Sequence, residues 1–448
     1  MIDSLLIANR GEIARRIIRT AKRLGIRTVA VYSDADEGMP FVLEADEAVR
    51  LGPADPAQSY RNAEAVLAAA KATGAQAIHP GYGFLSENAD FARQVEADGL
   101  IWVGPGADAI DAMGDKINAR NLMAAAGVPV APGTATPVAG VDAAVAAVAG
   151  IGYPVMVKAA AGGGGMGMAV ATDEAALRTE FAKVGAFAER MFGSADVLLE
   201  RYFPRVRHVE VQILGLADGR VIALSERECS VQRRNQKLVE EAPSPAVDED
   251  LRARLLAAAV TAGETVGYRN AGTVECLLDP ATGDFFFLEM NTRLQVEHPI
   301  TELLHGIDLV EEQLRVASGE APTFTGVPGT TGHAIELRIN AEDPKRFLPG
   351  PGKITTWVEP TGEGVRVDAG YADGTTVGMS YDSLMAKLIV VGADRDEAIT
   401  RARAAVAGFA IAGPKNNLPF FTELLENDEF LSGDYDTAIV SRMRKSGR

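Results

Sequence analysis

Glu289-Met290-Asn291-Thr292-Arg293-Leu294-Gln295-Val296-Glu297 carries a polar residue at every second position, from Glu289 through Asn291, Arg293 and Gln295 to Glu297. A period of two is strand spacing, so the stretch predicts a strand that presents these five side chains on one face. The apolar run Phe285-Phe286-Phe287-Leu288 leads into it. Upstream, residues 273–278 read as a second strand, and Asp279-Pro280-Ala281-Thr282-Gly283-Asp284 has the composition of a turn. The resulting hairpin sets Glu275 opposite Glu289. Two facing carboxylates repel. A hard divalent cation relieves that repulsion, and Mg²⁺ is commonly held by one or two carboxylates together with substrate phosphates. For this segment alone, a solvated strand face is the alternative.

The chain has 448 residues, enough for about three domains, and 47% of them are hydrophobic, which is ordinary for a globular protein. Its 61 acidic and 44 basic residues give a formal charge of −17, which argues against nucleic acid or an anionic membrane as a general partner. Any phosphate site must therefore be locally basic. The opening Met1-Ile2-Asp3-Ser4-Leu5-Leu6-Ile7 runs straight into a strand pattern and lacks the features of a secretory signal. No apolar stretch has the length of a membrane span. Cys229 and Cys276 offer neither a disulfide framework nor zinc spacing, so they are expected to be packing residues in a reducing cytoplasm.

Leu5-Leu6-Ile7-Ala8, a helical pattern over residues 12–24 and Thr28-Val29-Ala30-Val31-Tyr32 form a strand-helix-strand unit, which assigns the chain to the α/β class. A helix over residues 63–73, the strand Ala77-Ile78-His79 and the loop Pro80-Gly81-Tyr82-Gly83-Phe84 continue the pattern. Pro129, Pro132, Gly133 and Pro137 mark a turn-rich crossing. Beyond it, a helix over 141–149, the strand Pro154-Val155-Met156-Val157-Lys158, a glycine loop, a helix over 174–191 and the strand Val197-Leu198-Leu199-Glu200 predict a small lobe. From Arg207 strands dominate, with His208-Val209-Glu210-Val211-Gln212-Ile213 alternating cleanly. Domains are expected at residues 1–128, 129–204 and 205–448.

Lys158 precedes Ala159-Ala160-Ala161-Gly162-Gly163-Gly164-Gly165-Met166-Gly167, whose five glycines let a backbone approach a phosphate with its N–H groups exposed. The stretch matches neither a Walker loop nor the spaced dinucleotide fingerprint. Lys116 and Lys158 each follow segments that deliver them to a lobe edge, where they would flank a triphosphate. Cys229-Ser230-Val231-Gln232-Arg233-Arg234-Asn235-Gln236-Lys237 adds cations among hydrogen-bonding side chains, with an exposed loop as the plainer reading. Glu336-Leu337-Arg338-Ile339-Asn340-Ala341-Glu342-Asp343 alternates as a strand, and alone Arg338 reads as one half of an ion pair.

Together, Ala8-Asn9-Arg10-Gly11-Glu12-Ile13-Ala14, His79-Pro80-Gly81-Tyr82-Gly83-Phe84-Leu85-Ser86-Glu87-Asn88, the glycine loop, the stretch from Gln232 to Lys237, that from Glu289 to Pro299 and that from Arg338 to Asp343 resemble biotin carboxylases, members of the ATP-grasp group. The resemblance spans nearly the whole chain. It implies an N-terminal Rossmann-like α/β domain, a mobile glycine-rich lid that closes over ATP, and a C-terminal domain built on an antiparallel sheet. It also implies a ligase that activates bicarbonate with MgATP as carboxyphosphate and carboxylates N1′ of biotin borne on a carrier protein.

By that resemblance, Lys116, Lys158 and Gly162, Gly163, Gly164 and Gly165 hold phosphates. Glu200, Arg201 and Phe203 line the adenine pocket, and His208, Gln232, Asn235, Leu277, Leu288 and Ile439 complete the nucleotide site. Glu275, Glu289 and Asn291 are the implied Mg²⁺ or Mn²⁺ ligands, in accord with the hairpin above. Lys237, Arg293, Gln295 and Val296 surround bicarbonate, since a guanidinium offers two parallel donors to a planar oxyanion. Glu297 is the implied general base, kept ionised by Arg293 and Lys237. Arg338 stabilises the enolate-like oxygen of the ureido ring, and Tyr82 and Gly83 face biotin. Phosphate released from carboxyphosphate, rather than a side chain, takes the N1′ proton.

Asn235 stands where many biotin carboxylases have His, and resembles the corresponding part of urea carboxylases more closely. Arg201 replaces a frequent Lys. No Met-Lys-Met biotinylation motif occurs, so the biotin carrier and the carboxyltransferase are expected on other chains. The favoured setting is the stand-alone subunit of an acetyl-CoA or acyl-CoA carboxylase, acting in fatty acid synthesis as a homodimer. Another ATP-grasp ligase with a different acceptor, and a non-catalytic nucleotide-binding subunit, are the competing readings.

Overall fold

A computed structural model of the chain describes residues 2–160 and 167–446. β1 (Ser4–Ile7) is buried throughout, as the continuous apolar run predicts for a strand covered on both faces. The helix Gly11–Arg23 that follows turns Ile13, Ile17 and Ile18 inward, with Glu12 in its first turn and Lys22 and Arg23 in its last, each favourable to the helix dipole. β2 (Arg27–Ser33), β3 (Glu47–Gly52), β4 (Ala77–His79) and β5 (Ile101–Trp102) complete a parallel five-stranded sheet in the order β3-β2-β1-β4-β5. The order reverses at β1, so the loops after β1 and β4 border the crevice where doubly wound sheets bind ligands. Those loops carry Asn9 and Tyr82. The Asn9 amide donates to the carbonyls of Pro80 (2.7 Å) and Tyr82 (2.8 Å), and a Cβ on Gly81 would come within 2.9 Å of that amide.

β6 (Val155–Ala159), β7 (Met168–Ala171) and β8 (Val197–Arg201) form an antiparallel three-stranded sheet against the helices Val141–Ile151 and Glu174–Phe192, with a small core of its own. The chain continues with β9 (Arg207–Gly215), β10 (Val221–Arg233), β11 (Gln236–Ala242), β12 (Asn270–Asp279), β13 (Asp284–Asn291) and β14 (His333–Asn340). After two short strands, β15 (Gly352–Lys353) and β16 (Thr356–Val358), come β17 (Val365–Ala369), β18 (Thr376–Val377), β19 (Leu384–Gly392) and β20 (Ala410–Ala412). Eight of these build one antiparallel sheet in the order β13-β12-β9-β10-β11-β14-β19-β17.

Alternation along β9 and β12 divides this sheet. Val209, Val211, Ile213, Val274, Cys276 and Leu278 pack with Leu251, Leu255 and Ala259 of the helix Glu249–Thr265. The opposite face is lined with ionisable groups in cross-strand register: Glu289 opposite Glu275, Glu275 opposite Glu210, and Glu210 opposite Arg227. The predicted hairpin and its turn are therefore present. The predicted strand over 289–297, however, stops at Asn291. Thr292 to Glu297 turn away instead, and Glu297 becomes the N-terminal cap of the helix His298–His305, with Pro299 in its first turn. The polar alternation beyond Asn291 belongs to a turn that gathers side chains, and not to one strand face.

Candidate active site

Lys237, at the start of β11, reaches across the charged face of the sheet. Its ammonium lies 2.5 Å from Glu210, 3.0 Å from Glu275 and 2.7 Å from Glu297. Arg227 is fully enclosed beneath it, bonded to Glu210 at 2.5 Å and to Gln212, Thr273 and Thr301. Arg338 on β14 donates to Glu297 at 2.8 Å and, through Nε, to Glu240 at 2.7 Å. Glu210, Glu240, Glu275 and Glu297 thus face Lys237, Arg227 and Arg338. Such a buried cluster persists because each charge has an opposite partner, since an isolated ion there costs several kcal/mol.

The cluster sets the protonation state of its members. Burial pushes the Glu297 carboxyl up, but Lys237, Arg338 and Arg227 outweigh it and hold the group well below the ordinary carboxylate range. Glu275 is lowered too, its burial offset by Lys237 and His208. Burial also opposes the charge of Lys237, yet the surrounding anions leave its pKa well above that of a free lysine. Glu297 is therefore ionised near neutrality and has lost its water shell.

Of the other predicted residues, Gln295 donates to Glu275 at 3.1 Å, and Asn291 does so at 2.9 Å. His208 Nε2 stands 3.0 Å from Glu275. Glu289 pairs with Lys116 at 2.8 Å and Lys158 with Glu200 at 2.7 Å. Phe203 stacks on Phe286 with centroids 4.8 Å apart, giving a flat aromatic wall beside half-buried Leu277 and Leu288. Gln232 and Asn235 lie at the tip of the β10–β11 hairpin, where Arg234 and Asn235 both have positive φ (+49° and +67°). That two-residue turn accounts for Asn at 235, because Asn tolerates the left-handed region well. Ile439 is enclosed in the core next to Val440 and Tyr435. Gly162, Gly163, Gly164 and Gly165 lie outside the described residues.

Arg293 departs from expectation. It does not pair with Glu297 but bonds Glu87 at 2.9 Å, and it also donates to Gln295 and Asn291. The cause is the end of β13 at Asn291, which swings Arg293 toward the loop after β4; Arg338 takes the place expected for it beside Glu297. Glu87, Arg227 and Glu240 join the site although the sequence assigns them no role. Glu240 alternates with Leu238 and Val239 in no simple period, whereas Glu210 shares the clean alternation of β9 and was legible as a neighbour of His208.

The residues suit a magnesium ion. Glu275, Glu289 and Asn291 offer two carboxylates and an amide oxygen from paired positions of one hairpin, a hard oxygen donor set. Glu275 and Glu289 are cross-strand partners in it, and a cation between them would add to the compensation that Lys237 and Lys116 already supply.

A family model described as biotin carboxylase, N-terminal domain, matches residues 1–110, one described as carbamoyl-phosphate synthase L chain, ATP binding domain, matches 115–323, and one described as biotin carboxylase C-terminal domain matches 336–442. The biotin carboxylase of Haemophilus influenzae is 49% identical over 435 residues, covering 97% of each chain. The chain belongs to the biotin carboxylase family. A pyruvate carboxylase subunit from Methanothermobacter thermautotrophicus is equally similar, 49% identical over 99% of this chain and 91% of its own. Among solved structures, biotin carboxylase from Campylobacter jejuni in a β-γ-ATP complex superimposes with a TM-score of 0.94 at 43% identity, covering 99% of both chains. The biotin carboxylase domain dimer of 2-oxoglutarate carboxylase from Hydrogenobacter thermophilus, in complex with MgADP, ADP and bicarbonate, gives 0.92 at 42% identity, covering 99% of this chain and 98% of that one. The protein is thus a ligase of ATP-grasp fold, as the sequence motifs imply. Among the described residues no helix is long and apolar enough to cross a membrane.

Proposed function

We propose that the cluster around Glu297 carries out ATP-dependent carboxylation of biotin by bicarbonate. The observation that carries this reading is the buried, ionised Glu297 between Lys237 at 2.7 Å and Arg338 at 2.8 Å. In this scheme Arg293, Gln295, Lys237 and the Val296 backbone orient bicarbonate, and Glu297 takes its proton. Position rather than a near-neutral pKa makes Glu297 effective as the base. The bicarbonate oxygen then attacks the γ-phosphorus of ATP, giving carboxyphosphate and ADP. Lys116, Lys158 and the glycine loop hold the phosphates, the stacked Phe203–Phe286 pair walls one side of the adenine pocket, and Glu275, Glu289 and Asn291 would hold Mg²⁺, which neutralises phosphate charge. Carboxyphosphate releases CO₂ and phosphate, phosphate takes the N1′ proton, and Arg338 stabilises the ureido oxygen as N1′ attacks CO₂. Tyr82 and Gly83 border the biotin side.

The three largest sheets support a division at residues 1–128, 129–204 and 205–448, the middle unit acting as the lid. Carrier and carboxyltransferase are proposed on separate chains, in a cytoplasmic acyl-CoA carboxylase whose biotin carboxylase component is a homodimer. Pyruvate carboxylase and propionyl-CoA carboxylase chains among the relatives make those acceptors the alternatives. ATP cleavage by the purified chain with Mg²⁺ and bicarbonate, with and without free biotin, tests the central claim. A biotin-dependent rate is expected, and cleavage indifferent to biotin would refute it.

A further inference from the structure

Lys387 is a lysine with no exposed side-chain surface, placed on β19 directly opposite Arg338. Full burial of an ammonium is costly, so what it touches matters. Its Nζ donates to the carbonyl of Val296 at 2.8 Å, in the peptide that leads into Glu297. The same atom stands 3.2 Å from Glu12 Oε2, in the first turn of the helix after β1. The other oxygen of Glu12 accepts from the Tyr82 hydroxyl. Asp368, 4.0 Å from Lys387, is already engaged by Arg366 at 2.7 Å and by Arg19 at 2.8 Å. The Val296 carbonyl and Glu12 are therefore the direct partners of Lys387. The segment it grips is irregular. Its side chains are tied down by Glu87, Glu275, Lys237 and Arg338, whereas its backbone carbonyls at Gln295 and Val296 are held by His298, whose ring and backbone nitrogens both lie within hydrogen-bond distance of the Gln295 carbonyl, and by Lys387.

We propose that Lys387 is a positioning residue for biotin carboxylation, fixing Val296 and Glu297 on one side and, through Glu12, the Tyr82 hydroxyl on the other. One buried cation thereby sets the spacing between the base, which caps the helix His298–His305 beside the eight-stranded sheet, and the biotin-facing loop, which follows a strand of the parallel sheet. The proposal rests on the function argued above. Lys387 touches no reacting atom. Its effect runs through geometry, where a displacement of about 1 Å can cost on the order of a hundredfold in rate.

Lys387→Met alone would leave Glu12 buried without a cation, so the informative variant is Lys387→Met with Glu12→Gln, which removes both charges and keeps both shapes. It is expected to melt within a few degrees of the wild type and to keep the KM for ATP within about threefold, while kcat for biotin-dependent ATP cleavage falls about tenfold or more. A merely structural role would not separate kcat from KM in this way. A folded double variant with kcat within twofold of wild type would overturn the proposal. Should that variant fail to fold, Tyr82→Phe decides: a kcat lowered about threefold supports the linkage, and an unchanged kcat refutes it. Absence of biotin-dependent cleavage in the wild type would instead overturn the functional reading on which the proposal rests.

Discussion

Replacing Glu240 by Gln should change how stability depends on pH, by an amount the structure sets. Glu240 has no exposed side-chain surface. On the adjacent strand Glu336 stands directly opposite, and among the described residues neither Glu336 oxygen nor Glu240 Oε2 finds a hydrogen bond. Burial pushes the Glu240 carboxyl from 4.5 up to about 7, against the pull of Arg338, and burial likewise pushes the Glu336 carboxyl well above the ordinary carboxylate range. A carboxyl whose folded pKa exceeds its unfolded value takes up a proton on folding, so stability falls as pH rises between the two. With the folded value about 7 against 4.5, the ionised form costs about 3 kcal/mol at high pH. Between pH 5 and pH 8, about 2 to 3 kcal/mol of that loss appears in the wild type and none in Glu240→Gln. Titrations of groups remote from Glu240 are common to both proteins and cancel in the difference. The assay is urea unfolding of both proteins at the two pH values. Glu240→Gln should gain about 2 to 3 kcal/mol relative to wild type on going from pH 5 to pH 8. A stability difference that stays constant within about 0.5 kcal/mol would refute the reasoning.

Three further outcomes follow from the site. Glu297→Gln removes the proposed base while leaving Lys237 with Glu210 and Glu275, and Arg338 with Glu240. It should fold and bind ATP but lose about 10²- to 10⁴-fold in kcat, measured as biotin-dependent ATP cleavage. Phe203→Ala deletes the stacked pair with Phe286 and should raise the KM for ATP by up to about tenfold with a smaller effect on kcat, as loss of a stacking wall predicts. Cys229 and Cys276 are both buried, which raises the Cys229 thiol well above its ordinary range and the Cys276 thiol to about 12. Both should resist a thiol reagent at pH 8 in the native protein and react together on unfolding, and rapid native labelling would show the sheet to be open there.

How much of this was legible in the sequence depends on the range over which each residue acts. The Glu275–Glu289 pairing was readable because a short turn sets the register of both strands, so spacing alone decides which carboxylates meet. The alternation of His208, Glu210 and Gln212 was readable for the same reason. Arg293 and Glu297 were misplaced onto that strand, because polar alternation looks alike in a strand and in a turn whose side chains converge. The helix signal at Pro299, two residues past Glu297, was the competing cue. Lys387 and Glu12 lie 375 positions apart in the chain and meet only because the parallel sheet docks its first helix on the large sheet, where Ile13 and Ile17 share a core with Leu337 and Leu388. Neither residue's local sequence names the other as its partner. Their partnership follows from the cost of burying either one alone, and that cost arises only once the two sheets have met.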